Sequence, residues 1–388
     1  MKALHFGAGN IGKGFIGNLL SKTGYEVCFV DVNPDLIHSI NKSNSYSVEI
    51  LDNRHSMETI SSVSALNSVT QEEKVIEAII NADLITTSVG VGNLSKIAKI
   101  LSVGLLKRVK KNPTNLDIIA NENAINASLI LKEAIGQLVS NEEMEKINSF
   151  VGFPNSAIDR LALSKKSDEG EVALVEPFFE WVINKAEMVN PELPLIPYAT
   201  YVEDLKPYIE RKLYIVNMGH ACTAYLAFIA GEPTIQSALS VPEIEHYARN
   251  AMAEASRYIL QTYSSDSQEM EQFIDKTIER FKNPHISDDI LRVGRSPIRK
   301  LGYDERLVKP TRELFRLGLP IDHLTVAIAA AFIFDHPEDE ESVLLQKYIL
   351  ENGIERAISH FSHMENSEIK DRIAKNYDSL KNSSKLTK

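Results

Sequence analysis

"LHFGAGNIGKGFIG", residues 4–17, decides how the first half of the chain folds. A short apolar run ends at a glycine, and Gly7, Gly9 and Gly12 stand in G-x-G-x-x-G spacing. That pattern hands a strand over to a helix. Gly7 permits the tight turn, Gly9 lets the backbone approach a pyrophosphate, and Gly12 lets a helix beginning at about Asn10 pack on the sheet. The backbone N–H groups of this turn, including those of Ala8, Asn10 and Ile11, would then face phosphates from a helix N-terminus. Nineteen residues after Gly12, "VCFVDVN" ends the next apolar run in Asp31, close to the spacing of a carboxylate that bonds both ribose hydroxyls. An acid there repels a 2'-phosphate, so the expected cofactor is NAD rather than NADP.

The alternation continues downstream. "ALHF", "VCFV", "LITTS" near 84–88 and "DIIA" at 117–120 are separated by helical patterns, the signature of a parallel, doubly wound sheet. Ligands sit beyond the carboxyl ends of such strands, which places Ser88, Val89 and Gly90 of "TTSVGVGN" beside the nicotinamide half. "YSVEILDNRHSMETI" carries two β-type runs around an Asp-Asn turn and reads as an inserted hairpin. Strand character persists through "FVGFP" and "EVALVEPFFEWVI" until the proline-spaced "NPELPLIPYA", residues 190–199, breaks it. From about Val202 onward the apolar positions recur at helical spacing, as in "EIEHYARNAMAEASRYIL". The expected organisation is an α/β Rossmann-type N-terminal domain, residues 1–195, and a mainly α-helical C-terminal domain, residues 196–388, which carries substrate and catalytic groups.

Charge and composition narrow the function. Acidic residues outnumber basic ones by 53 to 42 and the net charge is -11, which argues against nucleic acid and anionic membranes as partners. The two cysteines, Cys28 and Cys222, lie among apolar residues and read as reduced thiols of a cytoplasmic protein. The start leaves no room for the apolar region of a signal peptide. "LTVAIAAAFIF", residues 324–334, falls short of the roughly 20 residues that span a bilayer and reads as a buried helix. Neither HExxH nor paired CxxC occurs and "HFSH" at 360–363 has no nearby partners, so no metal is expected. A monomer is slightly favoured over a dimer.

Three polar groups interrupt the apolar "RKLYIVNMGHACTAYLAFIAG", residues 211–231: Lys212, Asn217 and His220. On a helix the later two are rotated by about 140° and about 80° from Lys212, within one broad sector. A lysine whose pKa is lowered by desolvation can exchange a proton with an alcohol oxygen, an asparagine amide can stabilise an alkoxide, and a histidine can orient a hydroxyl. Singly, each has a plainer reading: a snorkelling lysine, a back-bonded asparagine, a satisfied core histidine. Polar residues also gather at predicted strand ends. "NENAIN" offers Asn121, Glu122 and Asn123, and "GFPNSAIDR" offers Asn155, Asp159 and Arg160; the asparagines of the first serve equally well as helix caps.

"KLYIVNMGH", "NEN", "GFPNSAIDR" and the glycine turn together resemble the polyol-specific long-chain dehydrogenases over nearly the whole chain, and K-x4-N-x2-H is the most specific element. The resemblance implies metal-independent, NAD-linked interconversion of a polyol and a ketose. It makes Lys212 the general acid/base and Asn217 with Asn123 the pair that stabilises the alkoxide. It gives His220 the orienting of substrate, Asp159 the acid of a "V-D-R" signature, and Asn121 a place beside the cofactor. The chain departs from that signature with "IDRLA", a change among apolar and small residues.

Arg292, Arg295, Arg299 and Lys300 gather in "DDILRVGRSPIRKLGYDER", and a guanidinium fork suits phosphate oxygens. The expected substrate is therefore a sugar phosphate, fructose 6-phosphate or its hexitol. The competing reading pairs these cations with Asp288, Asp289, Asp304 and Glu305 on a solvated face. Other readings stay open: a hexuronate reductase, a dehydrogenase of the free polyol, a hydroxyacid dehydrogenase, or a non-catalytic protein that binds NADH as a regulatory ligand.

Overall fold

Strand Lys2–Phe6 is buried along all but its first residue, which demands covered faces on both sides of the sheet. Its side chains alternate between two cores. Leu4 and Phe6 join Ile85, Ile118 and Leu101, whereas Ala3 joins Val27, Phe29 and Ile119. The computed structural model describes residues 1–167, 170–263 and 265–384, and they divide into two compact units, Met1–Tyr208 and Ile209–Lys388.

In the first unit six parallel strands run in the order Val63–Asn67, Glu26–Asp31, Lys2–Phe6, Leu84–Thr87, Leu116–Ala120, Val151–Gly152. By chain position that is the 3-2-1-4-5-6 order of a dinucleotide-binding sheet, which reverses direction beside Lys2–Phe6. The expected hairpin is present as Ser45–Ile50 and Ser56–Ser61, with Asp52 closing the turn through the Arg54 and Ser56 amides. It is not isolated. Ser45–Ile50 also pairs in parallel with Gly170–Val175, itself antiparallel to Ala162–Ser167, so two distant hairpins form one four-stranded sheet. A third sheet holds Ser156–Asp159, Glu180–Asn184 and Thr200–Val202.

The second unit is helical throughout its described residues. Its centre is one continuous helical run, residues 206–230, long and apolar enough to cross a membrane by length and composition, yet 67% buried over its most apolar stretch. Its Tyr214, Met218, Cys222 and Tyr225 share a core with Met252 and Ala255 of Pro242–Tyr263 and with Ile328 and Phe332 of Asp322–Ile333. That is the packing of a core helix. Cys222 is fully buried and Cys28 half-buried, both as free thiols, and burial pushes Cys222 up to about 12.

Candidate functional site

The glycine turn has the geometry its spacing predicts. Gly7 sits at φ +97°, and a Cβ there would lie 2.5 Å from the Ser88 carbonyl oxygen. At Gly12 a Cβ would lie 1.9 Å from the Gly7 oxygen, so neither position admits a side chain. Gly9 differs: a Cβ there would meet nothing within 4 Å. The turn opens onto a cavity of about 860 Å³ lined by Gly7, Gly9, Asp31, Ser88 and Val89 among others. Asp31 is half-buried and accepts the Ala8 N–H at 2.7 Å, with its second oxygen taking the Val32 and Asn33 amides.

Beyond Asn10 and Ile11 the helix widens. Gly12–Gly17 is a π-turn with i→i+5 bonding, and only Asn18–Lys22 returns to α pitch. It is fastened by residues of neighbouring segments: the Tyr46 hydroxyl donates to the Lys13 carbonyl at 2.9 Å and Arg160 Nη1 to the Gly14 carbonyl at 3.1 Å. Lys13 itself is buried, which lowers its pKa, with Nζ 3.3 Å from the Glu171 carbonyl oxygen. Nothing in the sequence pattern marked Lys13 or Tyr46.

Across the strand reversal, Glu122 is the organising group. Its carboxylate accepts the Thr87 hydroxyl at 2.7 Å and the N–H groups of Val89 at 2.9 Å and Gly90 at 2.7 Å. His5 ties Thr86 and Ser88 together at 2.7 and 2.8 Å, and burial pushes its pKa down to about 3, so the ring is neutral. Asn121 is buried and its Oδ1 accepts the Ser156 hydroxyl. Asn155 caps Ala127–Gly136 through the Ser128 and Leu129 amides and is held by Glu187. Arg160 lies against Phe15 and Phe179 and donates to the Glu176 carbonyl. All three make hydrogen bonds within the first unit. Asn123 is exposed, and Asp159 is half-buried opposite Glu180 in the third sheet.

In the helical unit, Lys212–Asn217 is a second π-turn. The i→i+5 pitch brings Lys212 and Asn217 closer to one face than the 140° of an α-helix, which corrects the sequence expectation. Both are half-buried, as is His220. His220 Nε2 lies 2.8 Å from Asp288 Oδ2, and its ring stacks on Phe281 at 4.7 Å. Below the π-turn, buried Glu210 accepts the hydroxyls of Tyr258 at 3.0 Å and Tyr263 at 2.7 Å and the Lys309 ammonium at 3.1 Å. No local pattern could pair Glu210 with Lys309, 99 residues away.

The basic segment splits four ways. Arg292 is bound to Asp288. Arg299 lies 3.5 Å from Glu305. Lys300 is buried, donates to the Val293 and Arg295 carbonyls, and is pushed down to about 7 by burial and by Arg306, Arg299 and Arg295. Arg295 alone of the four is both exposed and, among the described residues, without an ion pair.

A parallel sheet in this order, a glycine turn on a large cavity and an acid ending the second strand define a Rossmann-type protein with a helical second unit. The chain belongs to the mannitol dehydrogenase family: its Rossmann domain matches residues 1–196 and its C-terminal domain residues 204–381. It is 45% identical over 366 residues to a mannitol-1-phosphate 5-dehydrogenase of Geobacillus stearothermophilus, covering 94% of this chain and 96% of that one. A mannitol-1-phosphate 5-dehydrogenase of Streptococcus pneumoniae is 38% identical, covering 96% and 98%. The fold matches Pseudomonas fluorescens mannitol 2-dehydrogenase, solved with NAD and D-mannitol, at a TM-score of 0.78 and 17% identity, over 100% of this chain and 93% of that one. A D-sorbitol dehydrogenase matches at 0.83 and 12% identity, over 98% and 93%.

Proposed function

We propose that the protein is a cytoplasmic, NAD-dependent oxidoreductase that interconverts D-mannitol 1-phosphate and D-fructose 6-phosphate. The observation that carries this reading is the 45% identity, over almost the full length of both chains, to a relative of that name. The residues present fit the dinucleotide: Gly9 leaves the backbone open to the cavity, and Asp31 ends the strand where a ribose carboxylate belongs. Asp31 keeps acceptor capacity beyond its three backbone bonds, and its charge disfavours a 2'-phosphate.

NADH held by the glycine turn and Asp31 would supply the hydride to the keto carbon. Lys212 donates the proton that the carbonyl oxygen takes up, and in the reverse direction removes it from the hydroxyl. The Asn217 amide stabilises the oxyanion as it develops, a role the family resemblance also gives Asn123. His220, fixed by Asp288 and Phe281, orients a substrate hydroxyl, and Asp159 accepts another. Arg295 holds the phosphate. Arg292, Arg299 and Lys300 shape the loop that presents it, since their charges are already engaged or buried.

NADH oxidation with fructose 6-phosphate and with fructose, side by side, tests the reading. The native protein should strongly prefer the phosphorylated sugar, and Arg295→Ala should raise KM for it about tenfold or more with a smaller change in kcat. Equal use of free fructose would move the protein to the free-polyol dehydrogenases.

A further inference from the structure

The cavity beside the glycine turn has two walls of opposite character. On one side the backbone at Gly9 is open to the cavity, a setting for anions just before a helix begins. On the other side, Ser88 and Val89 line the same cavity, but the Val89 and Gly90 N–H groups point away into Glu122. Glu122 is 5% exposed. Burial raises its pKa, and against that its oxygens receive two amides and the Thr87 hydroxyl, a donor set suited to an ionised carboxylate rather than to a carboxyl carrying its own proton. Among the described residues Glu122 has no ion pair, although Lys96 and Lys99 line the same cavity. His5 is neutral, Lys96 is exposed and bonded to Asn93, and Lys99 is exposed.

We infer that Glu122 is a positioning and charge-setting residue that makes the protein favour the oxidised cofactor, whose nicotinamide ring is cationic, over the reduced one, whose ring is neutral. The inference rests on the NAD reading above. A dinucleotide seated on the glycine turn and on Asp31 extends its nicotinamide half past the strand reversal, toward the wall that Glu122 backs. A negative charge fixed behind that wall would act on the ring without touching it. The acid also holds the Val89–Gly90 backbone, with Gly90 at φ +85°, so that its position and its charge act on the same wall.

Dissociation constants of NAD+ and NADH, measured by calorimetry on the whole protein, test this. Glu122→Gln should raise the ratio of the NAD+ constant to the NADH constant by about tenfold, because it deletes the charge while keeping the shape. Thr87→Val, which removes one donor and leaves the charge, should weaken both forms together and leave the ratio within about threefold. An unchanged ratio in Glu122→Gln, or an equal shift in Thr87→Val, would overturn the inference while leaving the NAD reading standing. Failure of the native protein to bind either form would defeat the NAD reading itself. Should Glu122→Gln fail to fold, the carbon-13 resonance of the Glu122 carboxyl in the native protein decides: an ionised group at pH 7 supports the inference, and a protonated one overturns it.

Discussion

Two stretches leave α pitch for a wider turn, Gly12–Gly17 in the first unit and Lys212–Asn217 in the second, and they use it in opposite ways. The first is buried along its whole length and follows directly on the turn of residues 7–9 that opens onto the cavity. It is held through its backbone, since Tyr46 and Arg160 bond to its carbonyls. The second carries the side chains proposed to do the chemistry. The wider pitch turns Lys212 and Asn217 toward one face, and the buried Glu210 with Lys309 and two tyrosines anchors the helix just before it. A backbone site announces itself by glycine spacing, whereas a side-chain site depends on a helical pitch that spacing does not encode.

The sharpest way to break the contrast is at the side-chain turn. Lys212→Ala should lower kcat by about 10³-fold through loss of proton transfer while the NADH dissociation constant stays within about twofold. A variant that turned over near the native rate would remove Lys212 from the chemistry. At the backbone turn the largest effect should be on stability. Gly12→Ala forces a Cβ against backbone that cannot give way and should cost about 3 kcal/mol or more in thermal unfolding. Gly9→Ala, in open space, should leave the unfolding temperature nearly unchanged but weaken dinucleotide binding, and equal destabilisation by both would erase the distinction.

The smallest effect concerns Lys300. Its folded pKa of about 7 lies below the ordinary 10.5, so between those values the unfolded chain binds more protons and stability should rise with pH. Lys300→Met should flatten that rise, read from unfolding temperatures at pH 7 and pH 10. A slope as steep as in the native protein would mean the ammonium is not desolvated as its buried position implies.

Much of the first unit was legible because parallel strands buried on both faces read as apolar runs between turn signals. The glycine turn, Asp31 and the inserted hairpin all follow from patterns within a few residues of each other. What the hairpin does was not legible. Ser45–Ile50 pairs with Gly170–Val175, more than a hundred residues away, and strand partners at that separation leave no local trace. Asn121 and Asn155 illustrate the same limit. Both stand at strand ends where a ligand group is expected, and both spend their amides inside the unit. Arg292, Arg295 and Arg299 look equivalent in sequence, and only the positions of Asp288 and Glu305 separate them.

The amino-acid sequence by itself determined the class of fold and the glycine turn with its acid partner. Those depend on steric permission and on periodicity, which act between neighbours in the chain. The tertiary structure decided which polar groups are spent on the fold and which remain available: Glu122 turned inward on Val89 and Gly90, His220 held by Asp288, Lys300 buried beneath its own loop. A polar side chain's role is set by the donors and acceptors that folding brings within about 3 Å of it, and their distance along the chain carries no information about that.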